Sequence, residues 1–345
     1  MREVFPGVFE IRLHDRSDSH GVREISIFLI PARDRSLMID TGFRLPECFR
    51  MLEEGLHSLH IPMDRLDIFL THRHHDHCGL ASEFQKRGAR IFMNPEEERH
   101  PYDCLSYRPE KNSLPEQERV LRSAGISEEQ SPEIWAAFQK VSERIERHED
   151  WFLAITGFPY EKARAGEHFD YGDFHFRAIP LRGHTYGQLG LMEEEKKLFF
   201  TADQLIHGVS PIVATTYVGE GLLQAFFDSM EYVKKRCHSG WTILPSHGNR
   251  IENVSEEVDK TVFAYLEKTS RVKDCLEKQR EEMCCRRLME LCYQAGEAPK
   301  DEAGLFLYKM TLTKTFSILE YLHDINFVSR RMQGGTYYWK LLEKE

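Results

Sequence analysis

The chain contains no run approaching the ~20 consecutive apolar residues that a membrane-spanning helix requires, so no helix crossing a bilayer is expected. Its first residues, Met1-Arg2-Glu3-Val4-Phe5, show no apolar signal region before a small-residue cleavage site, and the cytoplasm is the expected location. Positive charge is scarce: 46 Lys and Arg against 56 Asp and Glu leave a formal charge of -10. That balance disfavours a nucleic-acid partner, because phosphate backbones are held by clustered cations. No internal repeat and no low-complexity tract interrupts the chain. The eight cysteines include no Cys-x-x-Cys pair, which excludes the usual zinc-ribbon spacing and points to free thiols in a reducing compartment. What remains is a 345-residue chain, 41% apolar, enough for a sizeable core and about two domains on length alone.

Histidine is concentrated where the chain is most regular. The stretch Leu70-Thr71-His72-Arg73-His74-His75-Asp76-His77-Cys78-Gly79 places three histidines and an aspartate in a His-x-His-x-Asp-His pattern directly after an apolar, strand-like run. Neutral imidazoles and a carboxylate are the ligands that borderline divalent ions prefer, and a rigid strand end lets neighbouring side chains converge. Further candidates recur in the same setting. His184 follows the strand-like Phe174–Ile179, Asp203 ends Leu198–Ala202, and His247 ends Trp241–Leu244, each where a strand gives way to a loop. Cys78 adjoins the motif, and a small buried residue behind the site is its expected role.

The ordered set Asp40-Thr41-Gly42, His72/His74/Asp76/His77, Gly183-His184-Thr185-Tyr186-Gly187, Asp203 and His247 resembles that of the metallo-β-lactamase-fold hydrolases, which include glyoxalase II, ribonuclease Z and bacterial lactonases. The resemblance implies an αββα sandwich over residues 1–252. It implies that His72, His74 and His184 bind one metal ion, that Asp76, His77 and His247 bind a second, and that Asp203 bridges them. Asp40 would sit behind the metals and hydrogen-bond a ligand. The one departure is Ala202, where the family usually has glycine before the aspartate. Two divalent ions are expected, zinc first, with manganese or iron as alternatives. Such a pair lowers the pKa of a shared water and polarises a substrate oxygen, with Asp76 and Asp203 as the catalytic carboxylates. The leading expectation is hydrolysis of a small ester, thioester or lactone. The alternatives are a phosphodiesterase or nuclease, a mononuclear iron enzyme of the persulfide dioxygenase type using His72, His74 and His184, and a catalytically silent binding protein. His207 and Tyr186 are candidates for contacting substrate or donating a proton.

The remaining pattern is α/β. Strands are predicted over Val8–Leu13, Ile25–Ile30, Ser36–Ile39 and Ala89–Asn94, and helices over Pro46–Leu56, Leu80–Arg87 and Gly221–Cys237. Residues 95–170 show no convincing strand and read as a helical insertion or lid, with Tyr102, Tyr107, Trp135, Trp151, Phe152, Phe158 and Tyr160 as its aromatics. Residues 253–345 form a predicted helical C-terminal domain: helical sequence to about Gln294, separate segments at Gly304–Thr311 and Thr313–His323, then a hairpin turning at Gly334-Gly335. Helices followed by a hairpin look like a winged helix. The candidate recognition helix has one lysine, so packing, cleft closure or a homodimer contact is expected ahead of DNA binding.

Overall fold

The computed structural model describes residues 1–15, 24–99, 114–146, 157–293, 299 and 301–342. Most of the predicted Asp15–Gly21 loop, and Tyr102, Tyr107, Trp151 and Phe152 of the predicted lid, lie outside them. Seven strands form the first sheet in sequential order: β1 (Arg2–Phe5), β2 (Val8–His14), β3 (Glu24–Ile30), β4 (Ser36–Ile39), β5 (Leu66–Leu70), β6 (Arg90–Met93) and β7 (Glu161–Lys162). The first four pair antiparallel, and β4 to β7 run parallel. The change of direction follows from the connections. Helix α1 (Pro46–Ser58) joins β4 to β5, and α2 (His75–Cys78) and α3 (Ala81–Lys86) join β5 to β6, the crossovers that parallel neighbours require.

The second sheet is built from β8 (His168–Tyr171), β9 (Phe174–Pro180), β10 (Leu189–Glu193), β11 (Leu198–Ala202) and β12 (Thr242–Pro245), with only β11 and β12 parallel. Period-2 alternation explains how the layers stack. On β3, Ile25, Ile27 and Leu29 point to a core shared with Leu52 and Leu56 of α1 and Phe84 of α3. Phe28 and Ile30 point the other way, into a core shared with Phe176 of β9 and Phe200 of β11. The first sheet is thus buried on both faces, and helices cover the outer face of the second. The result is an αββα sandwich, as the family resemblance implies.

The outer helical layer contains α4 (Leu114–Ser123), α5 (Pro132–Glu146), α6 (Leu222–Arg236), α7 (Val254–Gln279), α8 (Cys285–Tyr293) and α9 (Glu302–Asp324). One apolar cluster joins Leu121 and Phe138 of the insertion to Phe226 of α6, Tyr265 of α7, Leu288 of α8 and Phe316 of α9. Packing therefore runs without a break across residue 252. β13 (Met283–Cys284), β14 (Val328–Gln333) and β15 (Thr336–Leu341) make a small third sheet. Gly334 and Gly335 both have positive φ (58° and 81°) at the β14–β15 turn, as a two-residue hairpin with the twist of its strands demands.

Three details differ from the sequence expectation. β7 and most of β8 fall inside the segment read as strand-free. α9 is one helix where two segments are predicted, and the helical run to Gln294 is divided by Arg280, which takes a positive φ of 53°, and by β13. Among the described residues no helix is long and apolar enough to cross a membrane.

Asp67, at the start of β5, fastens the sheets at one end. Its carboxylate accepts from Arg35 Nε (2.6 Å), Arg90 Nε and Nη2 (2.8 and 2.6 Å), and the Tyr171 hydroxyl of β8 (3.1 Å). The opposite end of the sandwich carries the histidines.

Candidate metal centre

β5, β9, β11 and β12 are each followed by a candidate ligand, and these strand ends come together at one edge of the sandwich. β5 delivers Thr71 and His72, and the short α2 carries Asp76 and His77. The loop after β9 holds His184, β11 ends on Ala202 before Asp203, and β12 ends two residues before His247. All seven expected ligands converge. Three overlapping groups have ligand atoms within 4.8 Å of one another: His72, His74 and His184; His72, His77 and Asp203; and Asp76, His77 and His247.

In the first group, His74 Nδ1 lies 3.0 Å from both His72 Nε2 and His184 Nε2. The protons can be assigned from the partners on the far side of each ring. His184 Nδ1 is 2.7 Å from the Ile212 carbonyl, which can only accept, so the proton is on Nδ1 and Nε2 is a lone pair. Thr71 Oγ1 is 2.9 Å from Asp40 Oδ2, an obligate acceptor, so the hydroxyl donates there and must accept from His72 Nδ1 at 3.1 Å. His72 Nε2 is therefore also a lone pair. His74 Nδ1 can donate to one of these two nitrogens and not to both. Three ring nitrogens at this spacing match the roughly 3.3 Å edge of a tetrahedron with metal–nitrogen bonds of about 2.0 to 2.1 Å.

The second group is more polar. Asp203 Oδ2 lies 3.5 Å from His184 Nε2 and 3.3 Å from His247 Nε2, and its Oδ1 is 3.4 Å from His77 Nε2. Asp76 Oδ2 is 3.4 Å from His247 Nε2 and 3.7 Å from His77 Nε2. Asp203 thus stands between the two groups. The outer nitrogens are fixed: His77 Nδ1 donates to Asp40 Oδ2 at 2.8 Å and His247 Nδ1 to the Glu24 carbonyl at 2.5 Å. His77 Nε2, His247 Nε2 and Asp203 Oδ1 are buried and have no partner in hydrogen-bond geometry. Orphaned buried atoms of this kind are costly, and a cation at their point of convergence would satisfy all three.

Charge tells the same story. Burial, together with the neighbouring His77, His74 and His184, holds the His72 imidazole well below its ordinary pKa, and burial depresses His184, leaving both in the neutral form that ligates metals. Burial alone would also depress His77 and His247. Asp203 and Asp76 outweigh it, joined by Asp40 at His77, pushing His77 well up and His247 up to about 10. The same contacts override the effect of burial on Asp76 and Asp203 and hold both carboxyls below their usual range. The pocket is a buried carboxylate cluster that demands positive charge, and protons on two imidazoles are the substitute when no ion is bound.

Backbone geometry serves the same end. Asp40, a non-glycine residue, has φ of 63°, an uncommon conformation held by its amide bond to the Phe69 carbonyl (3.0 Å) and by its side-chain contacts. Ala202 has φ of 50°, which gives a physical reason for the family's glycine at that position. Gly183, with φ of 137°, lets the His184 loop lie against α6. A Cβ there would come within 2.6 Å of Phe226 Cα.

Several residues that build the site carry no readable sequence signal. Glu97 follows β6 in the run Glu96-Glu97-Glu98, and it is buried. It accepts from Arg73 N (2.9 Å), between His72 and His74, and from Thr185 Oγ1 (2.6 Å) and Gly187 N (2.8 Å) in the His184 loop. Gln204 holds that loop through the Arg182 carbonyl (3.2 Å). Cys78 is buried, its thiol 3.6 Å from the Arg73 carbonyl, and belongs to none of the three groups. Of the candidate substrate contacts, His207 Nδ1 is 3.1 Å from Glu257, and the Tyr186 ring lies against the guanidinium groups of Arg99 and Arg182 (4.1 and 3.9 Å).

Residues 20–233 match the family model of the metallo-beta-lactamase superfamily, a span that contains six of the seven convergent side chains. The chain belongs to the metallo-beta-lactamase superfamily. It is similar to a Bacillus subtilis (strain 168) protein named a probable metallo-hydrolase, with 21% identity over 330 residues covering 94% of this chain and 95% of that one. It also matches a hydroxyacylglutathione hydrolase of Haemophilus influenzae at 25% identity over 172 residues, half of this chain and 61% of the relative. Among solved structures, a metallo-beta-lactamase family protein from Thermus thermophilus shares the fold at a TM-score of 0.74 and 19% identity, covering 99% of this chain and all of the other. A beta-lactamase domain protein from Burkholderia ambifaria superposes at 0.71 with 16% identity, covering 99% of this chain and 94% of that one. The protein is a metallo-hydrolase of this superfamily, with histidine and aspartate clusters able to hold metal ions.

Proposed function

We infer that the protein is a dinuclear metal-dependent hydrolase that cleaves a small ester, thioester or lactone. The observation that carries this reading is the convergence of three orphaned atoms, His77 Nε2, His247 Nε2 and Asp203 Oδ1, beside the lone pairs of His72 and His184. His72, His74 and His184 would hold one divalent ion, and Asp76, His77 and His247 the other, with Asp203 shared. When bound, such ions supply an activated water near neutral pH and polarise the substrate oxygen. Zinc suits these donors, and manganese and iron are accepted by the same set.

The chain's own residues contribute orientation and charge. Asp40 and the Thr71 hydroxyl fix His77 and His72, the Ile212 carbonyl fixes His184, and the Glu24 carbonyl fixes His247. Asp76 and Asp203 remain ionised at neutral pH and are positioned to orient a nucleophilic water by accepting its hydrogens. An acyl substrate is favoured over a nucleic acid by the formal charge of -10 and by the likeness of half the chain to a protein named as a hydroxyacylglutathione hydrolase.

The test is a panel of thioesters, lactones and a phosphodiester reporter, run with zinc-, manganese- and iron-loaded protein whose metal content is counted, with Asp203→Ala as control. Acyl hydrolysis with two ions per chain, abolished in the folded control, is the expected result. Phosphodiester cleavage alone would move the protein to the nuclease branch. One iron per chain and no hydrolysis would replace the reading with an oxygenase.

A further inference from the structure

We propose that the C-terminal helices are part of the metal centre, with Tyr265 and Ser317 acting as positioning residues that set the carbonyl orienting His184. The inference rests on the reading of His184 as a metal ligand. The observation behind it concerns the segment between β11 and α6. That segment has no regular structure over most of its length, yet its Ile212 carbonyl is the partner of His184 Nδ1 at 2.7 Å. A carbonyl on an irregular segment aims a ligand only if something else fixes the segment.

α7 and α9 do so. The fully buried Tyr265 hydroxyl donates to the Pro211 carbonyl (2.7 Å) and accepts from the Val213 amide (2.8 Å), so it grips the chain on both sides of Ile212. Ser317 of α9 lies 2.9 Å from the Val213 carbonyl and accepts from the Thr215 amide at 2.7 Å. Either end of the segment is held in the same way. Glu257 of α7 accepts from Gly208 N at 2.7 Å, and Glu320 of α9 accepts from Gly219 N at 2.6 Å. Four side chains from beyond residue 252 thus satisfy backbone groups of one segment, and the groups of Pro211, Val213 and Thr215 would otherwise be left buried and unpaired. Tyr265 brackets Ile212, the residue that touches His184, and Ser317 fixes the residues that follow it.

The predicted consequence is selective. Loss of either hydroxyl leaves the His184 ring free to turn, which weakens the ion held by His72, His74 and His184 and leaves the ion held by Asp76, His77 and His247 less affected. Support from outside the ligand shell is typically worth about 10-fold or more in metal affinity. The experiment is stepwise cobalt(II) titration of the full-length chain, followed by visible absorption, for Tyr265→Phe, Ser317→Ala, Thr336→Val and His184→Ala. Thr336→Val removes a buried hydroxyl of the same region that donates to the Arg122 carbonyl (2.9 Å) and does not touch the segment.

The expected result is a loss of about 10-fold in affinity for one of the two ions, with an altered absorption band, in Tyr265→Phe and Ser317→Ala, while Thr336→Val binds as the parent does. Ser317→Ala removes a single hydroxyl and keeps the test available should Tyr265→Phe fail to fold. Parent-like titrations in both positioning variants, alongside lost binding in His184→Ala, would overturn the inference and leave the metal site intact. Parent-like binding in His184→Ala would overturn the site assignment itself.

Discussion

Replacing Glu97 should be costly, and a lower bound on the effect follows from three donors that its carboxylate satisfies. Its carboxylate accepts from the Arg73 amide through one oxygen, and from the Thr185 hydroxyl and the Gly187 amide through the other. Glu97→Gln keeps the shape but must point an amide N–H at one of these donors. The lesser loss puts it against Arg73 N, where two donors would meet at about the 2.9 Å now spanned by a hydrogen bond. One charge-assisted bond worth about 1.5 to 3 kcal/mol disappears, and the other two fall to neutral strength. The expected destabilisation is about 3 kcal/mol, and about 5 kcal/mol for Glu97→Ala, which strands all three donors. Urea denaturation of metal-free parent and variant measures it without contributions from ion binding. Because Arg73 lies between His72 and His74 and Thr185 follows His184, metal affinity should fall about tenfold as well. A Glu97→Gln protein within about 0.5 kcal/mol of the parent would refute the view that this carboxylate ties the two ligand loops together.

Two other predictions follow from the same geometry. Gly183→Ala places a Cβ 2.6 Å from Phe226 Cα, so either α6 or the His184 loop must move; a loss of at least about 3 kcal/mol in denaturation and a weakened metal site are expected. Metal uptake should expel protons. His247 and His77 are raised, so their contribution to metal-free stability is complete below 6.5 and fades as pH climbs toward about 10, while the lowered Asp76 and Asp203 contribute fully above 3.8. Metal-free protein should therefore be most stable between these limits. Loading at pH 7.5 should release up to about two protons, with affinity rising with pH, and calorimetry in buffers of different ionisation enthalpy counts them. Release of none would contradict the charge pattern of the second cluster.

The seven convergent side chains were legible because they lie at or shortly beyond strand ends, where apolar runs stop abruptly, and because four of the seven fall within six residues, His72 to His77. The sandwich was legible only through the family resemblance, since alternation on β3 shows two buried faces but not what covers them. What escaped the sequence is tertiary. Glu97, Gln204, Tyr265 and Ser317 take their roles from residues tens of positions away, and nothing nearby marks them. β7 has only two residues, Glu161 and Lys162, both exposed, so no apolar period exists to detect. α9 reads as interrupted because Thr311, Thr313, Thr315 and Ser317 crowd its centre. In the structure the three threonine hydroxyls bond back to carbonyls one turn earlier and the helix continues. The break after Gln279 turns on Arg280 at a positive φ, a position where glycine would have given the signal.

The clasp at Asp67 has a meaning for motion. It joins the first sheet to the second through the Tyr171 hydroxyl using groups that need no ion, whereas at the far end the first sheet's His72, His74, Asp76 and His77 face the second sheet's His184, Asp203 and His247. An ion shared between those two sets is a removable rivet; the guanidinium and phenol contacts are a permanent one. The sandwich is then a book with its spine at Asp67, and under the proposed metal reading withdrawing the ions would loosen the page edges first, at the end that carries the histidines.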